Sequence, residues 1–148
     1  RFDYTAMGDT VNTASRLEGA NKFYKTKILV NQETFEAAKS TIFFRRVDTV
    51  QLKGKEKSLH IYEVLGFIEG ASEEGKKLVE EWYMALEKYK AGDWKEAEKS
   101  IRLVLERLPE DGPAKTFLER IMEFKKLPEQ EQARLRRGWD GVWKFEGK

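Results

Sequence analysis

Asn12 and Arg16 stand four residues apart, behind the turn signal Gly8-Asp9, in the run YTAMGDTVNTASR at residues 4–16. On a helix that spacing puts an amide and a guanidinium on one face, about 6 Å apart along the axis. Such a pair suits a nucleotide phosphate site. The amide orients a ribose, and the planar guanidinium fork reaches an α-phosphate oxygen better than a lysine would. Chemistry at phosphorus depends mainly on positioning and electrostatics, so few protein groups are needed. The same two side chains also suit an ordinary solvated helix face. Thr5 offers a hydroxyl that donates or accepts, and it equally suits a strand threonine. Lys53, in the run LKGK, is an ammonium on a glycine-bearing loop, fit for a polyphosphate tail; with Lys55 and Lys57 beside it, a solvated turn is the plain alternative. Asp9 reads as a helix cap rather than a metal ligand.

The elements that must position these residues follow from the hydrophobic pattern. An extended start breaks at Gly8, and a helix is expected over about Thr10–Ala20, with Gly19 and Asn21 as stop signals. KILV (Lys27–Val30) reads as a short strand and Gln32–Lys39 as a short helix with Asn31 as its cap. FFRRVDTVQL and SLHIYEVL read as two strands around a hairpin loop at Lys53–Lys57. After Gly66 the composition turns polar over residues 67–76, and the apolar spacing then changes to a helical period. Leu78, Trp82, Leu86 and Tyr89 form one stripe. Ala97, Ile101, Val104, Leu105 and Leu108 form a second, and Phe117, Leu118, Ile121 and Phe124 a third. Breaks fall at Gly92-Asp93 and at Pro109–Pro113, where Asp93 suits an N-cap and Pro113 a first turn. In the tail RRGWDGVWKFEGK, which lacks a helical pattern, Trp139, Val142, Trp143 and Phe145 are expected to fold back onto helices as an aromatic clip. The expected class is therefore α+β, divided as residues 1–66, a linker at 67–76 and a helical segment at 77–148.

Bulk properties exclude several functions. The 28 basic and 26 acidic residues leave a net charge of +2, which gives no reason to expect nucleic acid or an anionic membrane as partner. There is no cysteine and one histidine, so disulfides, thiolate sites, a cysteine nucleophile and multi-histidine metal sites are ruled out. His60 is assigned no role. No apolar run approaches the ~20 residues of a membrane helix. The chain opens on Arg1 with the phosphate-site run already under way, and it is expected to be a piece of a longer protein.

The run Y-T-x-x-G-D-x-V-N-x-A-x-R-L-E resembles the signature of the class III adenylate and guanylate cyclases. The resemblance continues in order through KILVNQETFEAA, FFRRVDTVQLKGK and LHIYEVLG, so it covers roughly residues 1–66. It implies the C-terminal part of a ferredoxin-like cyclase domain, in which Asn12 matches the ribose-orienting asparagine and Arg16 the transition-state arginine. By the same resemblance Thr5 matches the base-contacting position and Lys53 the lysine on the terminal phosphates. The absence of Glu or Cys at Thr5 leans towards ATP. The implied metal ions, Mg²⁺ or Mn²⁺, are held by aspartates in a segment that this chain does not contain, and the implied site forms across a homodimer. The expectation is thus a parent adenylate cyclase making cyclic AMP and pyrophosphate, with this piece inactive alone. Residues 77–148 resemble a tetratricopeptide unit in part, through Tyr89, Gly92, Ala97 and Pro109. The order of cyclase domain, helical unit and W-D-G-V-W is similar to bacterial membrane-anchored cyclases of the CHASE2 type, which implies a cytoplasmic site on an anchored parent. Because a lone repeat cannot bury its apolar face, the helical segment is expected to pack on the cyclase piece or on another chain. The alternatives are a helical interaction module carrying a non-catalytic cyclase remnant, a guanylate cyclase, and a nucleotide-binding sensor without turnover.

Overall fold

The computed structural model describes residues 17–52, 54 and 56–145. It is an α+β structure of six helices and one four-stranded sheet among the described residues. Helix α1 covers residues 17–24; β1 (Leu29–Val30), α2 (Gln32–Ala38), β2 (Ile42–Gln51) and β3 (Ser58–Phe67) follow. Then come α3 (Glu73–Lys90), α4 (Trp94–Arg107), α5 (Gly112–Lys126), α6 (Glu129–Arg137) and β4 (Trp143–Lys144).

Local chemistry sets most of these boundaries. Asn31, Ser72, Asp93 and Asp111 each accept a backbone N–H of the first turn of α2, α3, α4 and α5, satisfying donors that a helix start leaves free. Helix α3 ends where Asp93 N–H donates to Lys88 O and Gly92 N–H to Tyr89 O, both at 3.0 Å. This paired closure needs a left-handed residue, supplied by Gly92 at φ 80°.

Sheet order is β1-β3-β2-β4. Strands β2 and β3 form an antiparallel hairpin whose register shifts between Arg46 and Asp48 and again between Phe43 and Phe44. Strand β1 adds antiparallel to β3, and β4 adds parallel to β2 with Val50 opposite Trp143 and Gln51 opposite Lys144. One apolar core joins the sheet to the helices, running through Leu17, Tyr24, Val47, Val50, Ile61, Trp82, Leu86, Ile101 and Phe117. The helical segment therefore packs on the sheet. Phe35 of α2 stacks on Tyr62 at 4.0 Å and meets Phe44 edge-on at 5.2 Å.

Four elements differ from the sequence expectation. Helix α1 continues to residue 24, past Gly19 and Asn21, because Ala20 and Tyr24 are buried one turn apart and tertiary packing outweighs the local stop signals. The strand expected over Lys27–Val30 is ladder-paired only at Leu29–Val30. Helix α6 was not legible in apolar spacing, since none of its residues is buried. The aromatic tail folds back onto helices as expected, Trp139 on Tyr89, Trp94 and Phe124 and Trp143 on Phe23, but Trp143 also enters the sheet.

Candidate functional site

Thr5, Asn12, Arg16 and Lys53 lie outside the described residues, as does Asp9. Their described sequence neighbours belong to one packed frame. Leu17, which follows Arg16, is 5 % exposed, and Leu52, which precedes Lys53, is 3 % exposed; both belong to the same core cluster. The frame thus ties α1 and the end of β2 to one packed interior.

A seam of buried charge locks that frame to the helical segment. On β2, Asp48 is fully buried. Its Oδ2 accepts Tyr24 O–H from α1 at 2.5 Å and Arg120 Nη1 from α5 at 2.9 Å, and its Oδ1 accepts Thr49 N–H at 2.8 Å. Arg120 also donates to Tyr89 Oη at 2.9 Å. Its guanidinium lies 4.5 Å from the Phe117 ring centre and 3.8 Å from that of Trp143, a cation boxed by aromatic faces. Burial opposes the charge on both partners. For Arg120 the opposing attraction of Asp48, Tyr89 and Tyr24 outweighs burial and its pKa is raised; for Asp48 burial prevails over Arg120 and the hydrogen bonds, and its pKa is raised too. Burial, then Asp48, pushes Tyr24 well above the usual phenol range, so it stays a donor.

A second buried pair lies nearer the start of β2. Arg45 Nη2 meets Asp111 Oδ1 at 2.5 Å while Nη1 reaches Oδ2 at 3.2 Å, and Nε donates to Glu63 at 2.9 Å. Asp111 also caps α5 through Ala114 N–H at 3.1 Å, so one carboxylate both starts a helix and pins it to a strand. Just beyond, Gly112 sits against the end of α1. A Cβ there would lie 2.2 Å from Lys25 O and 2.5 Å from Tyr24 O, so only glycine permits this approach. Thr116 Oγ1 completes the contact by donating to Phe23 O at 3.0 Å.

Sequence reasoning missed Asp48, Arg120, Tyr24, Arg45 and Asp111. A signal was present: Arg120 interrupts the apolar stripe of α5 between Phe117 and Ile121, and Asp48 falls between buried Val47 and Val50. The seam is enclosed, with Arg45, Asp48, Asp111 and Arg120 each at most 5 % exposed, which suits holding elements in place rather than turnover. A surface cavity of about 250 Å³, lined by Leu127, Glu131, Arg134, Leu135 and Gly138, shares no residue with it. Among the described residues no group of three or more His, Asp or Glu could hold a metal ion, and no helix is long and apolar enough to cross a membrane.

No protein-family model and no solved structure matches the chain. Three curated proteins do. The "Adenylate cyclase, terminal-differentiation specific" of Dictyostelium discoideum is 36 % identical over 142 residues, covering 91 % of this chain and 6 % of that protein. "Adenylate cyclase 1" of Rhizobium meliloti (strain 1021) is 48 % identical over 68 residues, 46 % of this chain and 10 % of that protein. "Adenylate cyclase" of Anabaena cylindrica is 39 % identical over 67 residues, 43 % of this chain and 13 % of that protein. The chain thus spans only a small part of each. The Dictyostelium match is too long to be confined to residues 1–66, so it takes in helical segment as well as sheet. This chain contains a region related to the proteins named adenylate cyclase.

Proposed function

We propose that this chain is part of an adenylate cyclase that converts ATP to cyclic AMP and pyrophosphate. What carries the reading is similarity to a protein named adenylate cyclase over 91 % of the chain, with the Asn12–Arg16 spacing intact. In the reaction the ribose 3′-hydroxyl attacks the α-phosphorus and gives up its proton to solvent, a new O3′–P bond forms, and the bond to the bridging oxygen breaks as pyrophosphate leaves. Asn12 holds the ribose so that attack is in line. Arg16 neutralises charge growing on the α-phosphate, where a fixed planar cation needs no reorganisation. Lys53 follows the terminal phosphates, and Thr5 contacts the purine edge. The Mg²⁺ or Mn²⁺ ions fall to aspartates outside this chain. The working site forms between two copies of the longer protein, and the piece alone turns nothing over.

Cyclase assays on the full-length protein test this, with ATP and GTP supplied separately and Mg²⁺ or Mn²⁺ present. Cyclic AMP is expected, and Arg16→Ala is expected to lower kcat about 10²–10³-fold, the usual cost of losing one charge-stabilising donor, without loss of folded dimer. Cyclic GMP alone would reassign the substrate. No cyclic product from a folded dimer would favour the helical interaction module.

A further inference from the structure

The segment Trp143–Phe145 touches both elements that lead to the proposed substrate-contacting residues. On one side it holds the end of β2: Val50 and Gln51 pair with Trp143 and Lys144, and Phe145 N–H donates to Gln51 O at 3.0 Å. Gln51 lies two residues before Lys53. On the other side it holds α1, whose described start, Leu17, follows Arg16. The Trp143 ring stacks on Phe23 at 6.0 Å and 26°, and Phe145 meets Phe23 edge-on at 5.2 Å and Tyr24 at 6.2 Å. Beneath the strap lies the Arg120 guanidinium, ion-paired to Asp48 of the same strand.

We propose that Trp143 and Phe145 are positioning residues for cyclisation, fixing the helix that follows Arg16 in sequence relative to the strand that precedes Lys53. This rests on the cyclase reading above. Neither ring carries a charge or a titratable group; each acts through the elements it clamps. The physical basis is a contrast in linkage. Between α1 and the end of β2 the chain makes a detour through β1 and α2; beside the Tyr24–Asp48 hydrogen bond further up the strand, the strap joins them by one backbone ladder and three ring contacts. In-line attack tolerates little misplacement, so loosening this joint is read in turnover before it is read in substrate binding. The similarity that runs past the sheet into the helical segment fits a segment that works with the sheet.

The test uses the full-length protein with Phe145→Ala and Trp143→Ala, and Trp143→Leu as a milder second variant should either fail to fold. Cyclic AMP formation is expected to fall about tenfold or more in kcat, with KM for ATP within about threefold, as for loss of alignment. Phe145→Leu, which keeps an apolar body, is expected to recover most of the rate. In an Arg16→Lys background the same Phe145→Ala change is expected to cost less than about twofold, because coupled residues are non-additive. Additive losses, or losses matched by the fraction of unfolded protein, would overturn the positioning role. Wild-type activity with unaltered variants would overturn the strap alone. A wild-type protein making no cyclic nucleotide would remove the cyclase reading and the strap with it.

Discussion

Two interfaces of the helical segment are built from opposite materials. Between α3, α4 and α5 the interior contacts are mainly apolar, with Trp82, Leu86, Ile101, Val104 and Ile121 each at most 1 % exposed, and ion pairs such as Arg107 with Glu74 and Glu81 lie towards the surface. Between those helices and the sheet, apolar packing is interrupted by Arg45, Asp48, Asp111 and Arg120, each at most 5 % exposed. Apolar surfaces tolerate repacking as long as volume is kept. Buried charges do not, because each is costly unless its partner arrives with good geometry. We infer that the apolar interface supplies cohesion and that the charged seam selects a single docking arrangement of helices on sheet.

The sharpest way to break this comparison is Asp48→Ala. It strands Arg120 without its carboxylate and is expected to cost about 3–5 kcal/mol in denaturant unfolding, the range for removing one member of a buried pair. Replacing both partners, Asp48→Leu with Arg120→Met, is expected to recover most of that loss while broadening the near-ultraviolet aromatic signal. A double variant with an unaltered aromatic signal would sink the selecting role. On the apolar side, Ile101→Val is expected to cost about 0.5–1.5 kcal/mol with no change in that signal.

The smallest effect concerns His60. Its Nδ1 lies 2.8 Å from Thr49 Oγ1, which also accepts Lys90 Nζ at 2.9 Å. Burial, then the charges of Lys90 and Arg46, hold the imidazole below its ordinary 6.5. The unfolded chain therefore takes up this proton at higher pH than the folded one, and stability is lost as pH falls through and below about 6.5. Melting temperatures between pH 7.5 and 5.5 are expected to drop less steeply in His60→Gln; parallel slopes would count against the assignment.

What the sequence revealed divides along the same line. The helices α3, α4 and α5 were legible from Trp82, Ile101 and Phe117, because one buried face imposes a period and Gly92, Asp93 and Pro113 mark the breaks. The β2–β3 hairpin was legible from its flanking loop. The seam was not, since a pattern of apolar spacing treats Arg120 and Asp48 as solvated by default, and only the third dimension brings residues of α1, β2 and α5 to one point. Strand β4 was hidden for a related reason. Two residues, Trp143 and Lys144, form too short a run to register as a strand until β2 is there to pair with them. For the proposed catalytic set the order is reversed: Asn12 and Arg16 were legible as a motif, and they fall outside the described residues.

Tyr24 and Arg120 meet across 96 positions of chain, and Phe23 and Thr116 across 93. The α3–α4 pair, by contrast, closes through a turn of three residues, Ala91–Asp93. Closing a long loop carries a larger entropy cost than closing a short one, and that cost falls before the contacts form. Folding is thus expected to be ordered in time, with the helical hairpin and the β2–β3 hairpin assembling early and the Asp48–Arg120 contact closing late. A protease present during refolding would find the junction between the two halves open longest.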